Sequence, residues 1–171
     1  MTHPQQTGST ALTVPEGRLE GRRAFVELVR QAVEVAAAQG WKRMIWSDPD
    51  FVDWPLGERA AIEALQAWSA QGRSLHLLAQ DFSELRLAHP RFVQWRTTWS
   101  HLVEARATGR SAGGDLPSAI WSPDWTMERL DPLRSIVVAT TDPARRVMLS
   151  ERLDGWWQKS SASFPASVLG L

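Results

Sequence analysis

The forty residues Lys42–Asp81, KRMIWSDPDFVDWPLGERAAIEALQAWSAQGRSLHLLAQD, decide the fold. KRMIWS is a short apolar run that reads as a buried strand, and it stops at Asp48-Pro49-Asp50 because proline has no N–H to continue a central ladder. In ERAAIEALQAWSAQG the residues Ala61, Ile62, Leu65 and Trp68 recur at helical spacing, and Gly72 marks the end of the helix. SLHLLAQD then repeats the first arrangement, an apolar strand followed by an acid, Asp81. Strand, helix and strand joined this way form a right-handed crossover, so the two strands should be parallel neighbours. Asp48 and Asp81 would then sit beyond the carboxyl ends of their strands, where open α/β sheets bind ligands. Either acid could equally start a turn or cap the next helix.

Upstream, RRAFVELVRQAVEVAAAQG places Phe25, Leu28, Val29, Ala32, Val33 and Ala36 at three- and four-residue intervals, with Gly40 as the stop. Residues 1–17 are polar, hold Pro4 and Pro15 and show no periodicity, so the reading is a flexible tail followed by one α/β domain over residues 18–171. Downstream, FSELRLAHPRFVQWRTTW is helical on both sides of Pro90, which can open a new helix. Phe92, Trp95, Arg96 and Trp99 share one face of that second helix, while Arg91 lies towards another. HLVEARAT alternates as a strand: Glu104 and Arg106 on one face, His101 and Val103 on the other. A helical continuation would instead bury Arg106 among indoles.

SAIWSPD and TMERLD read as a hairpin turning at Pro123-Asp124, and RSIVVATT is the strongest strand pattern in the chain. A last helix covers ARRVMLSERLDGWWQKS, and the apolar tail SFPASVLGL should dock. The expected architecture is α/β, with a mixed, largely parallel sheet flanked by helices.

A chain of 171 residues with 43% hydrophobic content can bury a substantial core. Nineteen basic residues balance nineteen acidic ones, which disfavours a surface that is uniformly basic and built to trap nucleic acid. The lack of cysteine removes disulfides and thiolate metal sites. With no apolar run long enough to span a bilayer and no secretory leader at the start, the expectation is a cytoplasmic protein without a membrane partner. Ten tryptophans and no tyrosine are unusual, and so many ring N–H groups suggest that some indoles line pockets or interfaces. The loop ATGRSAGGDLPS lacks the Gly-Lys-Ser/Thr ending of a phosphate-binding loop.

Three stretches, DFVDWPLGER, HPRFVQWRTTWSHLVEAR and FPASVLGL, resemble a group of uncharacterised proteobacterial proteins. The element order is similar to a single repeat of the phospholipase D-like fold. That resemblance implies a catalytic strand bearing His-x-Lys-x4-Asp. In PSAIWSPD the positions are Pro117, Ala119 and Asp124, so only the aspartate is kept. Neither replacement can attack phosphorus or hold a phosphate oxygen, and the resemblance therefore implies a non-catalytic domain without a cofactor.

Three functions follow as expectations. The first is a binding or interaction domain in which Arg91, Trp95, Arg96, Trp99 and His101 present a core face with a polar rim to a protein partner or a second copy, with Asp81, Arg106 and Asp124 as further binding candidates. The second is a phosphohydrolase: MIWSDPDF is similar to the Asp-x-Asp start of the haloacid-dehalogenase superfamily, which implies Asp48 as nucleophile, Asp50 as acid/base and a magnesium ion. The third is single-stranded nucleic-acid binding through Arg91, Arg96, Arg106, Arg110 and exposed indoles.

Overall fold

The computed structural model describes residues 12–110 and 115–166. A short strand β1 (Gly17–Leu19) leads into helix α1 (Arg22–Gln39), which ends on Gly40 in the left-handed conformation at φ 66°. Strand β2 (Arg43–Ser47), helix α2 (Arg59–Ser69) and strand β3 (Ser74–Ala79) make the expected crossover. β2 and β3 are parallel, from Arg43 opposite Ser74 to Ser47 opposite Leu78. Helices α3 (Ser83–Ala88) and α4 (Pro90–Thr98) break at His89, and β4 (Val103–Ala107) joins β3, again in parallel. The chain then crosses to the other side of β2. There β5 (Ser118–Trp121), β6 (Thr126–Asp131) and β7 (Ile136–Thr140) follow in turn, with helix α5 (Pro143–Gln158) and the two-residue strand β8 (Ser161–Ala162) closing the described chain.

The sheet order is β1-β7-β6-β5-β2-β3-β4-β8. Five of its seven strand pairings are antiparallel, which corrects the expectation of a largely parallel sheet. The reason is connection length. Among strands that pair directly with the next strand in the chain, only β2–β3 and β3–β4 are joined through helices, whereas β5, β6 and β7 are joined by turns of a few residues, and such turns can only reverse direction.

Alternation along β2 feeds two layers. Met44 and Trp46 point into the larger core with Phe25 and Leu28 of α1, Leu65 and Trp68 of α2, and Phe92 and Trp95 of α4. Ile45 points the other way, into a smaller cluster with Leu78, Ala119 and the α5 residues Leu149 and Leu153. No helix among the described residues is long and apolar enough to cross a membrane.

The core takes six of the ten tryptophans, while Trp121 and Trp157 line cavities at the surface. Trp41, Trp46, Trp54, Trp68, Trp95 and Trp125 are all buried. Most gain an acceptor, here from distant segments: Trp68 donates to Trp41 O at 2.6 Å, Trp95 to Ser69 Oγ at 3.0 Å and Trp125 to Pro15 O at 2.7 Å, whereas the ring N–H groups of Trp46 and Trp54 have none. Such satisfied indoles retain the full benefit of burial, roughly 1.5–3 kcal/mol for a large apolar side chain. Gly72 also acts differently from expectation. A Cβ there would lie 2.4 Å from the Trp68 ring, so the position requires a small residue to let the indole pack. At the amino end, Val14 packs on the core, Pro15 accepts from Trp125, Glu16 accepts from Thr141 and Gly17 opens a strand, so the chain is anchored before residue 18. The remainder of the expected tail, residues 1–11, lies outside the described residues, as do residues 167–171 of the docking tail.

Candidate binding cleft

The carboxyl end of β2 builds the site. Asp48 is 1% exposed, and its Oδ2 accepts from the backbone N–H of Asp50 at 3.1 Å and of Phe51 at 2.8 Å. This tight turn brings three acids of one segment, Asp48, Asp50 and Asp53, to the cleft side of β2. Phe51 holds the turn in place. Its φ is 61°, a left-handed conformation that costs a non-glycine residue about 1 kcal/mol or more. Complete burial of its ring and a 2.8 Å contact between its carbonyl and His89 Nε2 compensate. A carbonyl only accepts, so the His89 proton resides on Nε2.

Arg129, on β6, crosses beneath this turn. Its Nη2 donates to Asp48 Oδ1 at 3.0 Å, its Nη1 to Asp53 Oδ2 at 3.0 Å and its Nε to Ser118 Oγ at 3.2 Å. The guanidinium also lies 4.3 Å over the Phe25 ring. Its side chain is 5% exposed, and burial on that scale requires the two carboxylates that accompany it. Asp53 further meets the exposed Arg22 at 3.3 Å. Ser47 Oγ donates to Pro117 O at 2.7 Å and ties the ends of β2 and β5 together.

Above this network lies a cleft of about 660 Å³, within the usual range for small-molecule sites. Asp48, Asp50, Asp53, Asp115 and Glu128 supply carboxylates, and Arg129 and Arg152 supply guanidiniums. Leu116, Pro117, Leu130 and Pro132 give an apolar wall. Arg152 is already engaged with Glu128 at 2.6 Å. Asp50 stands at the rim with no cationic partner among the described residues. Desolvation raises its carboxyl above the ordinary value, the charges of Asp48 and Asp53 add to the rise, and the Val52 N–H opposes it.

Asp50 also borders a second cavity of about 290 Å³ with Asp81, Glu84 and Arg110. The two acids chosen from the strand ends therefore do come to one edge of the sheet. Asp81 is nonetheless occupied with local structure: it accepts from the N–H and hydroxyl of Ser83, which hold its carboxyl below the ordinary value, and Arg110 approaches to 3.9 Å.

The other expected residues lie elsewhere. Trp95 and Arg96 are buried, so they cannot form a face for a partner as expected. Arg96 donates from Nε to Phe164 O at 3.3 Å and lies 5.7 Å from the centre of the Phe164 ring; desolvation, then the charge of Arg86, lowers its pKa. Trp99 is half-buried and donates to Gln66 at 3.0 Å, whereas Arg91 and His101 remain exposed. Arg106 binds Ser160 and lies over Trp157, both contacts that fix the chain after α5. Asp124 sits at the β5–β6 turn, 3.9 Å from Arg146, with its side chain 86% exposed. Pro117 and Ala119 are buried at the start of β5, and Pro117 borders the cleft with no catalytic group in its place.

Magnesium-assisted nucleophilic attack does not fit this arrangement. Both Asp48 oxygens are engaged, one by Arg129 and one by backbone N–H groups, and the side chain is shielded. Among the described residues, no three or more metal-ligating side chains are grouped to hold an ion.

Arg129, Asp53 and Ser118 escaped notice in the sequence. One signal pointed to Arg129: in TMERLD it shares a strand face with Met127, and a charge on an apolar face demands a buried partner. Nothing local identified that partner, since Asp48 lies 81 positions away.

No family model and no curated protein sequence matches the chain. Its fold is similar to that of TrmBL2, described as an archaeal chromatin protein with a novel mode of DNA binding, at a TM-score of 0.66 and 14% sequence identity. The match covers 91% of this chain and 56% of that one, so the chain spans little more than half of its neighbour's length.

Proposed function

We propose that this chain is a non-catalytic binding domain whose ligand is a small molecule held in the cleft between the β2 turn and the β5–β6 hairpin. The engagement of each of the three Arg129 guanidinium nitrogens carries the reading. A guanidinium poised for phosphate chemistry has free donors facing the substrate, whereas here it is committed to Asp48, Asp53 and Ser118. Ser118, the hydroxyl on the floor, has a guanidinium beside it, and that group cannot accept its proton. What remains is a preformed concave surface with apolar and polar walls, suited to holding a ligand.

DNA binding, the activity described for the archaeal neighbour, is a second reading favoured by the shared fold. Five carboxylates against two guanidiniums repel a phosphate backbone from this cleft, so nucleic acid would have to meet another surface.

Backbone-amide NMR of the full chain tests the choice. Mixtures of amines, amino acids, polyols and nucleotides are added in turn, followed by fluorescent single- and double-stranded DNA. Shifts confined to residues 48–53, 115–118 and 128–132 are expected with at least one small-molecule mixture. Salt-dependent DNA binding that leaves those amides unmoved would transfer the reading to nucleic acid. Turnover of bis-p-nitrophenyl phosphate that disappears in Asp48→Asn would replace it with catalysis.

A further inference from the structure

The carboxyl end of α5 rests on the sheet through an indole, and the ring beneath that indole belongs to a histidine. We infer that His76 and Trp157 form a latch beside the cavity between α5 and strands β2 and β3, and that the latch loosens when the imidazole takes up a proton.

The latch is a cluster of three side chains. The Trp157 and His76 rings lie nearly parallel, with centroids 4.6 Å apart and planes 8° from each other. The Arg106 guanidinium lies 5.2 Å from the centre of the same indole, and its Nε donates to Ser160 Oγ at 2.8 Å, just beyond the helix. His76 and Arg106 come from the adjacent parallel strands β3 and β4, so one indole joins α5 to both. Leu149 and Leu153 are the buried residues of α5 and lie before its last turn, which relies on the half-buried Trp156 and Trp157. His76 and Trp157 also line a cavity of about 270 Å³ that shares no lining residue with the cleft.

A neutral imidazole stacks on the indole with no charge to solvate. An imidazolium there is a charge on a side chain only 26% exposed, and it arrives beside two cations: Arg43 on β2, which lines the same cavity, and Arg106 on β4. Against these stand Glu104 on β4, 3.7 Å from His76 Nε2, the α5 acids Glu151 and Asp154 at the cavity, and the attraction of the indole face for a cation. Glu104 is 61% exposed, so water and salt screen it. Desolvation prevails and lowers the imidazole pKa, with Glu104 opposing the shift and Arg43 adding to it. In an opened latch the imidazole is solvated and titrates near the ordinary value of 6.5. The open state then takes the proton first as pH falls. The closed latch is therefore most stable above the ordinary value and loses stability as pH drops from there to the lowered one.

Native-state hydrogen exchange of the full chain at about pH 8 and about pH 5, corrected for intrinsic exchange rates, reads the latch. Protection of the amides of residues 154–158 and of Ser163, which donates to Ala105 O, is expected to fall severalfold relative to those of α1 at the lower pH. His76→Phe keeps a flat ring against Trp157 and removes the proton, so the difference between the two conditions should vanish. The parent imidazole, followed by NMR of its carbon-bound protons, should titrate with a midpoint below 6.5. Glu104→Gln withdraws an attraction for the imidazolium and should move that midpoint lower still, which a merely structural contact would not do. These last two titrations test the latch even if His76→Phe does not fold. A midpoint at or above the ordinary value, one that Glu104→Gln leaves in place, protection independent of pH, or an equal loss of protection in His76→Phe would overturn the inference.

Discussion

Two arginines are buried to almost the same extent, Arg96 at 6% and Arg129 at 8% exposure, yet the chain treats them in opposite ways. Arg129 is clamped by Asp48, Asp53 and Ser118 and lies over Phe25. Arg96 has no carboxylate partner among the described residues. It has one carbonyl, the Phe164 ring and an Nη1 with no hydrogen-bond partner, and its like-charged neighbour Arg86 lies over that same ring. Desolvation is therefore balanced at Arg129 and left largely uncompensated at Arg96. The first supports a cleft at the carboxyl end of β2. The second is a packing element whose long side chain helps to hold the end of the chain against α4. An Arg- and Trp-rich sequence is thus no guide to a binding surface, whereas the single buried Arg of β6 borders the cleft.

The largest effect should come from breaking the balanced arginine. Arg129→Leu leaves Asp48 buried beside no cation, and a loss of about 3–5 kcal/mol is expected in urea unfolding. Adding Asp48→Asn should recover part of it, because the two changes act on one interaction. A single-variant loss below about 1 kcal/mol would remove the clamp from its central place. Phe164→Ala should cost about 3 kcal/mol, as expected for a buried aromatic that stacks on Phe82 and Phe92. A negligible loss would mean that the end of the chain contributes nothing to the core.

Arg96→Met sharpens the contrast. No carboxylate is stranded, so stability should stay within about 1 kcal/mol of the parent, in either direction. A loss as large as that of Arg129→Leu would erase the distinction between the two sites. The smallest effect belongs to Asp50. Its carboxyl binds a proton more tightly in the folded chain, so stability falls as pH rises from the ordinary value of 3.8 through the raised one. Asp50→Asn removes that penalty. A rise in Tm on the order of 1 °C is expected at neutral pH, screened by salt and absent at pH well below the ordinary carboxylate value. A fall in Tm at neutral pH would show that Asp50 is a stabilising partner, contrary to its place at the rim.

The central elements were legible because local pattern and tertiary role coincide there. The α1 periodicity ending at Gly40, the β2-α2-β3 crossover, the break at Pro90 and the β5–β6 hairpin all appear where the sequence predicts them. The sheet's overall direction was less legible. Periodicity shows that a segment is a strand, but not which side of β2 it joins, and β5 reaches β2 only after the chain has passed the whole parallel half. At the site, Asp48 and Asp50 were visible from their position after a strand. Their roles were not, because Arg129 and Ser118 arrive from distant segments.

The sequence by itself determined the stretches that become α1 to α5 and β2 to β7, that β2 and β3 run parallel, and that acids follow both strands. Those properties depend on side-chain spacing, proline and glycine within a few residues. Only the tertiary structure decided that most pairings are antiparallel, that six indoles are interior, and that Asp48 is a counter-ion instead of a free carboxylate. Each of these depends on contacts between residues far apart in the chain. A buried charge is defined by the group that neutralises it, and for Asp48 that group lies on another strand.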